Sequence, residues 1–241
     1  MSEEVNKARE VVSAMFSSIA PVYDLLNRSL SFGRDVKWRK KLVRGMKLPE
    51  DGTVLDLCCG TGDVAIAIVR EHPHFNGVVY GVDFSAIMID KARDKVAKLG
   101  PPYPRKIDFL MGDALDLQFA DEKFDAVAVA FGIRNLADLR LGVKEIYRVL
   151  KKDGQLNILE FFGNRVSNPI VAWYVEHVIP LVGNTVSRSR AYSYFVRSSK
   201  EFCTISQFED ILKSENFIDI SWEELSYGVA HIVRARKGYK P

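Results

Sequence analysis

The sequence of 241 residues predicts an α/β fold: a mostly parallel, doubly wound sheet closed by an antiparallel C-terminal hairpin. Three observations lead there. Apolar runs that read as strands alternate with helical patterns through the middle of the chain, which implies parallel strands joined by right-handed crossovers. A glycine-rich turn stands between the first of those strands and the helix after it. Near the end, two strand-like runs lie too close together for a crossover helix, as in an antiparallel pair.

The elements follow in order. MSEEVNKARE, at the start, is polar and partly acidic and does not read as a secretory signal. RDVKWRKKLVRGMK (34–47) holds seven basic residues against one Asp, with Trp38, Leu42 and Met46 at i, i+4 and i+8 as an apolar stripe. Such a basic amphipathic helix either packs on a core or lies on an anionic membrane. TVLDLC (53–58) reads as a strand and GTGDVAIAIVREH as the opening of a helix. VVYGVD (78–83) is the second strand, and Ser85 caps a helix over 85–99. IDFLMGD (107–113) and FDAVAVAF (124–131) are the third and fourth strands, followed by a helix over 139–152 and a fifth strand, GQLNILEFF (154–162). The segment 163–202 is rich in large apolar side chains, among them Trp173, Tyr174, Tyr192, Tyr194 and Phe195. It reads as a lid with an apolar tunnel or as an ordinary helical cap. DISWEELSYGVAHIVRARK then turns at Tyr227-Gly228 to make the hairpin. One domain is expected, divided into an N-terminal helical cap (1–47), a cofactor-binding core (48–162), a helical lid (163–202) and a C-terminal helix with antiparallel strands (203–241).

Composition narrows the class. Hydrophobic residues at 47% and charged ones at 27% suit a globular protein, and a net charge of +3 is too small to argue for nucleic acid. No run reaches the roughly 18 unbroken apolar residues of a membrane span; the longest, IVAWYVEHVIPLV (170–182), contains Glu176, His177 and Pro180. Three cysteines, with Cys58 and Cys59 adjacent, make no disulfide framework and no metal-ligand spacing. A reduced, cytoplasmic protein without a metal is expected.

The first motif with chemistry is LDLCCGTGD (55–63). Gly60, Thr61 and Gly62 form a loop through which backbone can approach a ligand. With Ala65, and with Asp83 lying 21 residues after Gly62, the loop also fits a dinucleotide fingerprint. Charge separates the readings. A pyrophosphate would be repelled by Asp56 and Asp63, whereas a cofactor with a cationic end would be attracted. S-adenosylmethionine, with a sulfonium, an ammonium and no phosphate, fits. Asp83 is then placed for the ribose hydroxyls and Asp113 for the adenine amino group, with Ala114 alongside. Phe84, next to Asp83, and Ala130, near the end of the fourth strand, complete the expected cofactor contacts. Taken singly, each aspartate reads equally as a helix cap or turn residue.

Longer stretches resemble one family. YDLLNRSLSFGRDVKW (23–38) is similar to its Y-D-x-M-N pattern with the later Ser, His and Trp: Tyr23, Asp24, Asn27, Leu30, Ser31 and Trp38 match, while Leu26 stands for Met and Asp35 for His. RVLKKDGQLNILEFF (148–162) resembles the family's R-V-L-K-P-G-G and E-F-S segments, departing at Lys152, Asp153 and Phe162. AFGIRN (130–135) and the Gly-Tyr-Lys ending complete the match, which spans nearly the whole chain. The family is that of the Rossmann-like class I methyltransferases that C-methylate prenylated benzoquinols and naphthoquinols in ubiquinone and menaquinone synthesis.

The resemblance implies S-adenosylmethionine as cofactor and a prenylated quinol as substrate, with peripheral contact at the inner face of the membrane and a possible homodimer. A phenol with a pKa near 10 is only about 0.1% ionised at pH 7, and a cation beside its oxygen favours ionisation. Arg134 is therefore expected to hold a developing phenolate, Asn135 to orient a hydroxyl, and Tyr23, Asp24 or water to relay the proton. Two other readings stay open for Arg134 and His177: a salt bridge that locks the loop, and proton transfer or a hydrogen-bonded core position. Other classes remain as alternatives: methylation of another small molecule or of a nucleic acid, and a nicotinamide-binding oxidoreductase or non-catalytic module. Against nucleic acid, Ile133-Arg134-Asn135-Leu136 is not the Asn-Pro-Pro-aromatic turn of amino-directed enzymes.

Overall fold

The computed structural model describes Met15 and residues 18–239; the start MSEEVNKARE and the Lys240 of the Gly-Tyr-Lys ending lie outside the described residues. In chain order these comprise α1 (Tyr23–Leu30), α2 (Arg34–Arg44), β1 (Thr53–Leu57), α3 (Asp63–Glu71), β2 (Val78–Asp83), α4 (Ala86–Leu99), α5 (Tyr103–Lys106), β3 (Ile107–Met111) and β4 (Phe124–Ala130). A 3-10 turn (Ile133–Asn135) leads to α6 (Leu139–Val149) and β5 (Leu150–Glu160). Next come α7 (Pro169–Trp173), a π-helical turn (Tyr174–Val178), α8 (Ile179–Ser187), α9 (Ala191–Glu201), α10 (Ile205–Ser214), β6 (Phe217–Leu225) and β7 (Ala230–Lys237).

The strands form one seven-stranded sheet in the order β3-β2-β1-β4-β5-β7-β6. Pairing is parallel from β3 to β5 and antiparallel at β5–β7 and β6–β7. The chain winds outward one way from β1 to β3, then returns to β4 on the other side of β1. That reversal opens a crevice at the carboxyl ends of β1 and β4.

Strand residues alternate between two apolar layers, as a period of two requires. Leu55, Leu57, Val127 and Val129 pack with Ile146 of α6 and Phe208 of α10 on one face. Val54, Ala126 and Ala128 pack with Ile68 of α3 and Ile89 of α4 on the other. Strands covered on both faces read as continuous apolar runs. Side-chain caps start the helices: Ser85 accepts from the Met88 N–H, Asp138 from the Leu141 N–H, and Thr204 with Gln207 forms a capping box before α10.

Two segments differ from the sequence reading. The helix expected over 139–152 ends at Val149, and Leu150 turns extended to pair with Phe124. Sheet pairing there outweighs the helical pattern. The basic helix over 34–47 ends at Arg44, and its stripe of Trp38, Leu42 and Met46 is buried in the core. Lys40 and Arg44 pair with Glu71, and Lys41 pairs with Glu223. The apolar stripe of this helix is therefore not available to a membrane.

Phe124 is wholly buried and meets Tyr80 and Phe119 edge-on at centroid distances of 5.9 and 5.0 Å. Phe124→Ala is expected to lower the unfolding free energy by about 3–5 kcal/mol, measured by urea denaturation; a loss under about 1 kcal/mol would show that this layer does not depend on it.

Candidate active site

At the crevice, both central strands end in a left-handed residue that is not glycine: Cys58 after β1 (φ 56°) and Phe131 after β4 (φ 62°). Such backbone is uncommon outside glycine and persists only where the surroundings enforce it. Here the two turns abut. A Cβ on Gly132 would stand 2.3 Å from Cys58 Cβ, so only glycine fits between them. Gly62, at φ 79°, caps α3, and a Cβ there would meet Phe109 Cζ at 2.6 Å. Gly60 differs: a Cβ would meet nothing within 4 Å, so backbone is open to a ligand there.

The carboxylates divide the loop among them. Asp83 closes β2, and its Oδ2 accepts from the Gly60 N–H at 2.9 Å while Oδ1 accepts from the Ser85 N–H at 3.0 Å. Asp56 lies one residue before the end of β1, and its Oδ2 accepts from the Ala65 N–H at 3.0 Å. Its Oδ1 is buried without a hydrogen-bond partner. Desolvation pushes the Asp56 carboxyl up to about 8, against the pull of the Ala65 N–H and Arg39.

Asp63 behaves differently from the charge argument made on sequence. It pairs with Lys95 at 2.8 Å and with Arg28 at 3.6 Å, and Arg39 and Lys95 hold it below the ordinary carboxylate range despite burial. So the two carboxylates do not confront a ligand as a bare pair. Asp56 is hidden behind the loop, and Asp63 is neutralised by its neighbours. Asp113 also sits apart from its expected place: β3 ends at Met111, and Asp113 turns the chain beyond it, accepting from the Leu115 N–H at 3.0 Å.

Two hollows flank the crevice. A small one of about 30 Å³ is lined by Asp83, Phe84, Asp113, Ala114 and Asn135. A larger one of about 360 Å³ is lined by Tyr23, Trp38, Arg39, Phe131, Arg134 and Phe161, and by residues of the segment 163–202. Asp56, Gly60, Thr61, Gly62 and Ala130 line neither hollow. The loop residues stand at the end of β1, and Ala130 is the last residue of β4. Arg134 and Asn135, adjacent in sequence, belong to different hollows. Both reach back to the Phe131 carbonyl, Arg134 Nη1 at 3.0 Å and Asn135 Nδ2 at 3.4 Å, and so brace the left-handed turn.

Arg134 also forms a buried ion pair with Glu160 at 2.5 Å and lies over the rings of Phe161 and Phe195. The salt-bridge reading of Arg134 is thus present in the structure, alongside its position on the cavity wall. Burial raises the Glu160 carboxyl, while Arg134 and the Phe161 N–H pull it back down. Asn135 Oδ1 accepts from the Tyr194 hydroxyl at 3.2 Å. Tyr23 is raised above its ordinary value by desolvation, against the nearby Arg39 and Arg134, so near neutral pH it is a protonated phenol and a donor rather than a base. His177 is exposed, stacked on Trp173, with Nδ1 at 3.0 Å from the Trp173 carbonyl; it does not line the cavity.

The sequence reading missed four contributors: Glu160, Lys95, Arg39 and the partnership of Arg39 with Asp35. The last had a signal, since an acid and a base four apart on a helix can pair. Lys95 had none.

Residues 2–237 match the ubiE/COQ5 methyltransferase family. The chain belongs to that family. The ubiquinone/menaquinone biosynthesis C-methyltransferase UbiE of Geobacter sulfurreducens is 41% identical over 233 residues, covering 96% of this chain and 90% of its own. The demethylmenaquinone methyltransferase of Thermotoga maritima is 40% identical over 230 residues, covering 94% and 96%. Among solved structures, the cyclase SpnF superposes with a TM-score of 0.70 at 18% identity, covering 95% of this chain and 96% of that one. An S-adenosylmethionine-dependent methyltransferase from Aquifex aeolicus does so with a TM-score of 0.59 at 19% identity, covering 83% and 89%. The structural likenesses establish the class I methyltransferase fold; membership of the ubiE/COQ5 family makes the chain a methyltransferase.

In this family member Asp56 keeps its proton in the folded state over a range where the unfolded chain has lost it. Stability from this group is therefore full below about pH 4 and declines as pH rises toward about 8. Replacing Asp56 by Asn, an isostere of the protonated form, is expected to flatten that decline in urea unfolding of the ligand-free protein. A slope that the substitution leaves unchanged between pH 4 and 8 would assign the proton elsewhere.

Proposed function

We propose that the protein transfers a methyl group from S-adenosylmethionine to a ring carbon of a prenylated quinol, as the names of its relatives describe for them. The observation that carries this reading is the larger cavity. It is apolar along most of its wall, it carries the Arg134 guanidinium at the β4 end beside the glycine loop, and its other end opens to solvent between exposed apolar side chains. A polar ring head and a long hydrocarbon tail would match those two ends.

The residues present suit the cofactor. The open backbone at Gly60 and the small hollow at Asp83, Phe84, Asp113 and Ala114 offer places for a ribose and a flat base, and the partnerless Oδ1 of the neutral Asp56 carboxyl leaves an acceptor for a donor such as an ammonium. When bound, S-adenosylmethionine supplies an electrophilic methyl on a cationic sulfur. Arg134 then favours the ionised form of the substrate phenol, because a nearby cation lowers a phenol's pKa. The flanking Phe131, Phe161 and Trp38 exclude water and give the ring aromatic surfaces to pack on. Tyr23, protonated, adds a neutral hydroxyl to the cavity wall. Asn135 carries the Tyr194 hydroxyl and fixes the turn that presents Arg134.

The direct test is activity on a panel of demethylated quinols with labelled cofactor, in which no incorporation into any quinol would end this reading. Arg134→Ala is a poor probe alone, since it leaves Glu160 buried and unpaired, a change that costs about 3–5 kcal/mol. The double variant Arg134→Gln/Glu160→Gln removes both charges together. It is expected to keep most of the stability and to lose about 100-fold or more in turnover. Near-normal turnover in the double variant would leave the pair a purely structural role.

The tail end bears on membrane contact. Phe32, Ile170 and Tyr227 line the cavity yet are 75%, 77% and 54% exposed, so they stand at its mouth with Arg34 nearby. We expect this rim, rather than the basic helix α2, to rest on lipid. Phe32→Ser/Ile170→Ser should weaken binding to anionic vesicles severalfold in sedimentation, while Lys37→Gln should change it little. A wild-type protein that ignores vesicles at low salt would remove the membrane part and leave methyl transfer standing.

A further inference from the structure

The cofactor reading leaves one charge of S-adenosylmethionine without a partner. Its amino-acid end carries a carboxylate as well as an ammonium, and the loop between β1 and α3 that would receive it is flanked by two carboxyl groups, Asp56 of β1 and Asp63 of α3, neither of which can pair with a carboxylate. A carboxylate buried there requires a cation within a few ångströms, since an unpaired charge in a poorly hydrated site is costly.

The nearby cations differ in what they have left to give. Lys95 directs its three N–H donors to Asp24 Oδ2 at 2.6 Å, Thr61 Oγ1 at 2.9 Å and Asp63 Oδ1 at 2.8 Å. Arg28 is half exposed and absent from the cavity wall. Arg134 is held by Glu160, the Phe131 carbonyl and Ser198. Arg39 is different. Its Nη1 donates to Asp35 Oδ2 at 2.7 Å, and among the described residues that is its one hydrogen-bond partner, through one of five N–H donors. It is 8% exposed, lines the cavity, and lies over the Phe131 ring at 5.1 Å, beside the end of β4.

Helix packing explains the location. Lys40 and Arg44 of α2 both reach Glu71 at the end of α3, at 3.2 and 2.7 Å. The preceding turn of α2 therefore lies toward the start of α3, where Asp63 and the glycine loop are. Asp63 and Tyr23 act electrostatically on Arg39, and Arg39 acts on Asp56. Asp35, where the family pattern has His, holds the guanidinium in place and is itself fixed by the Ser31 hydroxyl at 2.8 Å.

We propose that Arg39, oriented by Asp35, binds the carboxylate of the cofactor's amino-acid end. This rests on the S-adenosylmethionine reading above and adds to it the residue that pairs with the cofactor's carboxylate. A planar guanidinium with free donors offers a carboxylate two parallel hydrogen bonds. It also makes the N-terminal cap part of the cofactor site.

The test is calorimetric binding, without quinol, of S-adenosylmethionine and of its decarboxylated analogue. The readout is the ratio of their dissociation constants. Arg39→Gln is expected to shift that ratio by about 10- to 100-fold against the carboxylate-bearing compound, the scale of a lost charge-assisted hydrogen bond. It should leave binding of the decarboxylated analogue within a few fold, which also reports that the variant is folded. Arg39→Lys should keep part of the ratio, because it retains the charge and loses the fork. A ratio unchanged within about twofold in Arg39→Gln overturns the proposal, as does equal loss of both compounds in Arg39→Lys. If Arg39 held a quinol oxygen instead, the ratio would stay and the quinol KM would rise, which also overturns it. Wild-type protein that binds neither compound would refute the cofactor reading itself.

Discussion

Glu160 is wholly buried at the end of β5, and the site is built around the means of keeping its charge there. Arg134 lies against it at 2.5 Å, and the Phe161 N–H donates to the same oxygen at 2.8 Å. A buried ion pair of this kind gains little over an apolar pair of the same size, but removing one partner is severe. Its effect is positional. Arg134 can satisfy Glu160 only if the chain turns sharply after β4, and the same guanidinium bonds the Phe131 carbonyl that makes the turn. Through Ser198 and the Phe195 ring the pair also reaches α9, so the ends of β4 and β5 and the helical segment over them are tied to one charge centre.

A second centre joins the N-terminal cap to the glycine loop. Lys95 of α4 gathers Asp24 of α1, Thr61 of the loop and Asp63 of α3, and the Thr61 hydroxyl also donates to Asp24 at 2.7 Å. Three partly buried groups on one ammonium outweigh an isolated surface pair, because each charge is partly desolvated and all three ammonium donors are used. Asp24 is the neighbour of Tyr23. Docking the cap on the loop therefore also sets Tyr23 on the cavity wall. The site is accordingly a composite: the sheet supplies the loop and the strand ends, and the helices before and after it supply the walls.

The fold alone does not name the reaction. A cyclase and several methyltransferases share it with this chain at identities below 20%, which is expected when chemistry resides in loops and added helices on a common sheet. What carries the assignment beyond the fold is the family match over residues 2–237, together with relatives at about 40% identity that share nearly the whole length.

Local pattern was enough for the sheet. The apolar run of β4, the glycines at 60 and 62, the Ser85 cap and the closely spaced C-terminal strands each carry their meaning within a few residues, because periodicity, backbone freedom and turn length are short-range properties. The same holds for the placement of Asp83 beside the loop. Charge was not legible in that way. Asp63 and Asp56 look alike in sequence, yet one is neutralised by Lys95 from 32 residues away and the other is desolvated with one oxygen unpaired. Arg134 met Glu160 across 26 residues, and the basic helix turned its stripe inward because Leu159 and Ile232 of the sheet received Trp38 and Leu42. Coulomb interactions and desolvation depend on distance in space and on the polarity of whatever packs nearby, so partners and ionisation are set only when the helices close over the strand ends.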